Sequence, residues 1–150
     1  MVLGPAGDGT LEFERARRAL SMENTVAALA SLERALRIED NPSWYSYLGY
    51  CIARERGLIA KGVELCMISL EHDPDNHAHY LNLGKVHLLS GNKAEAIGAF
   101  REGMSRGGGE ALLEKLEEFG MRKPPVFTFL SRSNPLNRYL GLFLRRIGLR

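Results

Sequence analysis

The sequence predicts an all-α protein: a right-handed α-solenoid of three stacked helix-turn-helix units, closed by a capping helix and followed by a C-terminal amphipathic helix. Three observations carry that reading. First, a 34-residue step relates Leu29, Val63 and Ile97. It also relates Ala28, Gly62 and Ala96, all small; Leu32, Cys66 and Phe100, all apolar; Ala35, Ser69 and Gly103, all small; and Leu36, Leu70 and Met104, all apolar. Second, within each unit these positions recur at i, i+3, i+4 and i+7, the stripe of an amphipathic helix. Third, turn residues punctuate the pattern at Gly57, at Asp73-Pro74 and at Gly91-Asn92. A helix pair has an apolar face that it cannot bury alone, so a repeat of this length implies stacking into one continuous core. Leu29, Leu32, Leu48, Leu65, Leu83, Ile97 and Phe100 are the expected core.

The chain divides in order. Residues 1–8, with Gly4, Pro5 and Gly7, read as a flexible arm. Residues 9–110 hold the three units, at 9–42, 43–76 and 77–110. Small residues at Ala16, Gly49 and Gly84 let the first helix of each unit touch the second. Gly107, Gly108 and Gly109 then break the pattern, and 110–119 resumes as a capping helix with Leu112, Leu113, Leu116 and Phe119 on one side and glutamates elsewhere. A polar outer face is what the end of a solenoid needs.

The units resemble the tetratricopeptide repeat, whose signature is aromatic-x2-Leu-Gly-x2-aromatic, then Ala-x3-aromatic, then Pro. Residues 77–110 carry Tyr80, Leu83, Gly84 and His87, followed by Ala96 and Phe100. Residues 43–76 carry Tyr45, Leu48, Gly49 and Ile52, then Gly62, Cys66 and the closing Pro74, with one residue inserted between Gly49 and Gly57. In 9–42, Glu12, Arg15 and Ala16 stand at the aromatic, Leu and Gly positions. The resemblance implies a protein-interaction module without catalysis, a scaffold, adaptor or small chaperone that takes a peptide or partner helix in a concave groove lined by the first helices. The positions it assigns to that groove are Phe13, Arg17, Tyr47, Tyr50, Arg54, Asn82, Lys85 and Leu89. Asn82 matches an asparagine that bonds ligand backbone in peptide-binding members. Phe13 and Tyr47 replace residues of the family's clamp for acidic C-terminal peptides, so an apolar or aromatic ligand with polar rims is expected.

Residues 121–150 belong to no repeat. They carry seven basic residues and no acidic one, whereas 1–120 holds 13 basic and 18 acidic residues, a net charge of −5. Pro124-Pro125 stops the capping helix, and Val126, Phe127, Phe129 and Leu130 read as an extended strap. Asn134-Pro135 starts a basic amphipathic helix. Its face of Leu136, Tyr139, Leu140, Phe143 and Ile147, with Arg145 and Arg146, suits docking on the chain itself, on a second copy, on a partner or on a membrane surface. A membrane-associated adaptor anchored by this helix is therefore the alternative function, and homodimerisation through the segment an alternative partner.

Chemistry is sparse. No nucleotide-binding Gly-Lys-Ser/Thr loop, nucleophile elbow, paired-His zinc helix or Cys-x2-Cys occurs. The sequence thus predicts neither enzyme, cofactor nor metal, and no nucleic-acid partner. His72, Asp73, Asp75, His77 and His79 crowd together, but His77 and His79 do not share a helix face, and the stretch reads as a solvated turn in which Asn or Asp caps the next helix. Cys51 and Cys66, each among apolar neighbours, read as reduced core thiols. Together with the lack of a signal-like N-terminal segment, they place the expected location in the cytoplasm.

Overall fold

The computed structural model describes residues 5–119; the strap, the basic helix and the docking residues expected within 121–150 lie outside them. Seven α-helices follow one another among the described residues: α1 (Pro5–Ser21), α2 (Thr25–Ile38), α3 (Tyr45–Arg56), α4 (Ile59–His72), α5 (His77–Leu89), α6 (Lys93–Ser105) and α7 (Glu110–Glu118). A 3-10 turn, Pro42–Trp44, leads into α3, and no strand occurs among the described residues. Consecutive helices pair as α1 with α2, α3 with α4 and α5 with α6. The pairs stack through α2 on α3 and through α3 and α4 on α5. This is the all-α solenoid that the 34-residue period predicts.

Local chemistry sets the ends of the helices. The Asn24 and Asn76 side chains accept from the backbone N–H groups of Ala27 and Ala78, each at 3.1 Å, capping α2 and α5. Gly57 and Gly91 take φ of 68° and 75°, the left-handed conformation that stops α3 and turns the chain after α5. The first helix begins four residues earlier than the repeat boundary at residue 9 suggests. Pro5 suits a helix start, and at Gly9, which is buried, an added Cβ would lie 3.3 Å from Glu39 Cβ, so α1 passes close to the end of α2 at that residue.

The core lies along the pair interfaces. Leu29, Leu32, Leu65, Leu83 and Phe100 are buried as expected. Leu48 and Ile97 are only half-buried, because they sit at the edge of the stripe rather than at its centre. One cluster joins Ala16, Ala28, Leu32, Cys51 and Leu65; another joins Cys66, Leu70, Tyr80, Leu83 and Val86. Tyr50 packs against both. The small residues let paired helices approach: a Cβ on Gly49 would lie 2.6 Å from the carbonyl oxygen of Gly62, and a Cβ on Gly84 would lie 2.2 Å from Cε1 of the Phe100 ring. In α7, Leu112 and Leu116 are buried and the glutamates exposed. In the first unit, polar contacts stand where aromatic packing is absent: Glu12 pairs with Arg15 and, at 2.9 Å, with Arg34 across the helix pair.

Candidate functional site

The first helices carry the positions expected to line a groove, and the structure gathers most of them into two neighbouring groups around α3. The first is a line of rings. Phe13 on α1 stacks on Trp44 at 5.0 Å between centroids and meets Tyr47 edge-on, also at 5.0 Å. Tyr47 in turn meets the ring of His79 edge-on at 6.4 Å. Trp44 is buried, and Phe13 and Tyr47 are half-buried, so these rings serve packing as much as surface. Burial raises the Tyr47 phenol above its ordinary pKa, and the neighbouring Arg17 opposes the shift. Arg17 itself is exposed and bonds Glu14 at 3.1 Å.

The second group lies one turn along α3. The Lys85 ammonium sits over the Tyr50 ring, 5.0 Å from its centroid, a cation–π contact between α5 and α3. Burial holds the Lys85 pKa below the usual lysine range, and the Lys115 charge adds to the shift. Burial also raises the Tyr50 phenol, against the pull of Arg54, which is exposed. Leu89, at the C-terminal end of α5, is exposed at 36% and is held to neither group by a ring or polar contact.

Asn82 departs from its expected role. It is buried, and its Nδ2 donates to Ser46 Oγ at 3.0 Å. The face of α5 on which Asn82 was expected to meet a ligand also meets α3, where a short serine leaves room for the amide to turn inward. It therefore belongs to an internal polar joint between the second and third pairs.

That joint is what the sequence reading missed. His79 is not in a solvated turn but in the first turn of α5, with no exposed surface. Its Nδ1 lies 2.7 Å from Ser46 Oγ. Ser46 Oγ has two hydrogen-bond partners among the described residues, and Asn82 Nδ2 is a donor, so Nδ1 is the acceptor for the hydroxyl proton, which places the ring proton on Nε2. Nε2 has no hydrogen-bond partner among the described residues, and Asp73 Oδ2 stands 4.0 Å away. Ser69 completes the joint: its Oγ accepts from the Ser46 N–H at 2.8 Å and donates to the Pro42 carbonyl at 2.6 Å. One clue was available, since His79 and Asn82 are three apart and share a helix face.

Serine, histidine and aspartate thus converge, the composition of a nucleophilic triad, but not its geometry. Ser46 has no exposed surface, its Oγ is already committed to two partners, and Asp73 is too distant to orient the ring by a hydrogen bond. The arrangement locks helices together. Among the described residues, no group of three or more metal-ligating side chains occurs.

A separate hollow of about 310 Å³ opens between α4, α5 and α6 over Leu70, Tyr80 and Leu83, and includes none of the groove positions. No described helix is long and apolar enough to cross a membrane.

Comparison with known proteins gives a fold. No protein-family model matches the sequence, and no curated protein matches it. Among solved structures, the chain is similar to the Sgt2 TPR domain from Aspergillus fumigatus, with a TM-score of 0.55 and 19% identity over 87% of this chain and 93% of that one. The helix pairs, their order and this likeness establish the fold as that of a tetratricopeptide-repeat domain.

Proposed function

We propose that the protein is a non-catalytic interaction module, an adaptor, scaffold or small chaperone, that holds a peptide or partner helix on the face formed by α1, α3 and α5. The observation that carries this reading is the pair of half-buried tyrosines, Tyr47 and Tyr50, one turn apart on α3 and bordered by Arg17, Arg54 and Lys85. Rings held by neighbours lose little freedom when a ligand covers them, and guanidinium or ammonium groups at the border supply directional hydrogen bonds. Asn82 contributes by holding α5 against α3 rather than by touching ligand.

The test is affinity capture with the intact chain and with Tyr50→Ala, Arg54→Ala and Lys85→Ala, each checked for native helicity. A partner held by this face is retained at least tenfold better by the wild type, the equivalent of about 1.4 kcal/mol. Equal retention by all three variants moves the interface off this face. The seven basic residues of 121–150, a segment with no acidic residue, favour one further reading, attachment to an anionic membrane. Flotation of the intact protein with phosphatidylserine vesicles, lost in Arg145→Ser/Arg146→Ser, is the result that reading requires.

A further inference from the structure

The buried joint is a relay of hydrogen bonds whose direction depends on one proton. In the neutral state it runs from Asn82 Nδ2 to Ser46 Oγ and from the Ser46 hydroxyl to His79 Nδ1. Each group donates or accepts as its chemistry permits, and the cost is the unpartnered Nε2–H. A proton added at Nδ1 reverses the logic, because both ring nitrogens are then donors. Nδ1–H must donate to Ser46 Oγ, and the serine proton must leave that line. The amide of Asn82 offers the remedy: turned over, it presents Oδ1 in place of Nδ2 and accepts the Ser46 hydroxyl. At the other side of the ring, Nε2–H gains a positive charge to share with Asp73, whose carboxylate is half exposed and has 4.0 Å to close.

We propose that the joint between the second and third helix pairs is a proton-operated switch, in which protonation of His79 reverses the Asn82–Ser46–His79 relay and draws Asp73 onto Nε2. The proton comes from solvent and no bond other than N–H is made. The titratable groups acting on His79 are Asp73 and His72, in the turn after α4 and at its end, while Tyr47 presents its ring from α3. Within α5 the relay partner Asn82 is neutral, and His77 is exposed. Asp73 favours the charged ring; burial and His72 oppose it, and the balance holds the His79 pKa below the ordinary 6.5. The switch therefore operates on the acid side of neutrality.

Its output reaches the aromatic line. Tyr47 packs edge-on against the ring that acquires the charge, Phe13 packs on Tyr47, and Trp44 stacks on Phe13. Trp44 is the single tryptophan of the chain, so its emission reports on that line alone. A consequence for ligand binding rests on the groove reading above. The switch itself does not, and its test uses no ligand, so either idea can fail without the other.

The experiment is a pH titration of the wild-type protein followed by NMR of the four histidine rings and of the Asn82 side-chain amide. The expected result is that His79 titrates below pH 6.5 with helicity intact, and that the Asn82 amide protons and Trp44 emission change with the same midpoint. In Ser46→Ala the Asn82 response is lost while the ring still titrates; if that variant fails to fold, the wild-type coincidence of midpoints decides. An Asn82 amide that stays constant while His79 titrates overturns the proposal. So does an amide or Trp44 change that survives in His79→Gln, or a His79 that stays neutral until the protein unfolds.

Discussion

Gly84→Ala adds a single methyl group at the closest approach found at any described glycine. The new Cβ would lie 2.2, 2.6 and 2.7 Å from three atoms of the Phe100 ring, where carbon atoms normally stay about 3.5 Å apart or more. The ring must retreat by about 1 Å, yet Phe100 has no exposed surface and nowhere to go. Overpacking of this kind costs about 1–3 kcal/mol, and a ring clamped on three atoms belongs at the upper end. Alanine returns up to about 1 kcal/mol through its better helix propensity. The net expectation is a loss of about 2 kcal/mol. Gly98→Ala on α6 is the matched control, because its Cβ would meet nothing within 4 Å; there the same exchange stabilises by about 0.5–1 kcal/mol. Urea denaturation followed by circular dichroism measures both. Adding Phe100→Leu to Gly84→Ala should recover part of the loss, since the steric term then disappears. A Gly84→Ala variant as stable as the wild type, or two alanine variants that shift in the same direction, would refute the assigned approach of α5 to α6.

Three further outcomes follow from the joint and the core. Asn82→Ala should lower stability by about 1–3 kcal/mol in urea denaturation, because it removes a buried donor from Ser46 and leaves a gap; an unchanged midpoint would return Asn82 to the surface. Since the folded-state pKa of His79 is depressed, the unfolded chain binds the proton first as pH falls. Stability is therefore full above about pH 6.5, the ordinary histidine value, and declines below it; denaturation midpoints across pH 5–8 should show a shallower decline in His79→Gln. Burial pushes the Cys51 and Cys66 thiols up to about 12, so a thiol reagent should modify both slowly in the native protein and at the ordinary rate in urea.

The all-α solenoid was legible because it depends on repetition. Positions such as Leu32, Cys66 and Phe100 announce a shared environment through spacing alone, and Gly84 announces a close approach because nothing larger fits. The polar joint was hidden for the opposite reason. Ser46 lies in the second unit and His79 and Asn82 in the third, and the 34-residue period does not bring them into register. Their burial depends on which way two adjacent pairs face, a property of stacking rather than of any segment. His79 was read as part of a turn because Asp73 and Asn76 beside it are turn residues, although the helix begins at His77. Asn82 was read as surface because the resemblance places it on the groove face, whereas a serine opposite supplies a nearer partner than any ligand.

The ion pair between Glu12 and Arg34 implies an order of unzipping. A linear array comes apart from whichever end is held most weakly, because each pair is supported only by its neighbours. The C-terminal pair has Leu112 pressed against it, within 2.7 Å of where a Cβ on Gly103 would lie. The first pair instead carries partly exposed charges where its counterparts have Tyr45 and Leu48 or Tyr80 and Leu83, and salt screens such charges while leaving apolar packing intact. Fraying should therefore start at α1 and deepen as ionic strength rises. Amide hydrogens of α1 would then exchange through local opening while those of α5 wait for the whole array to unfold.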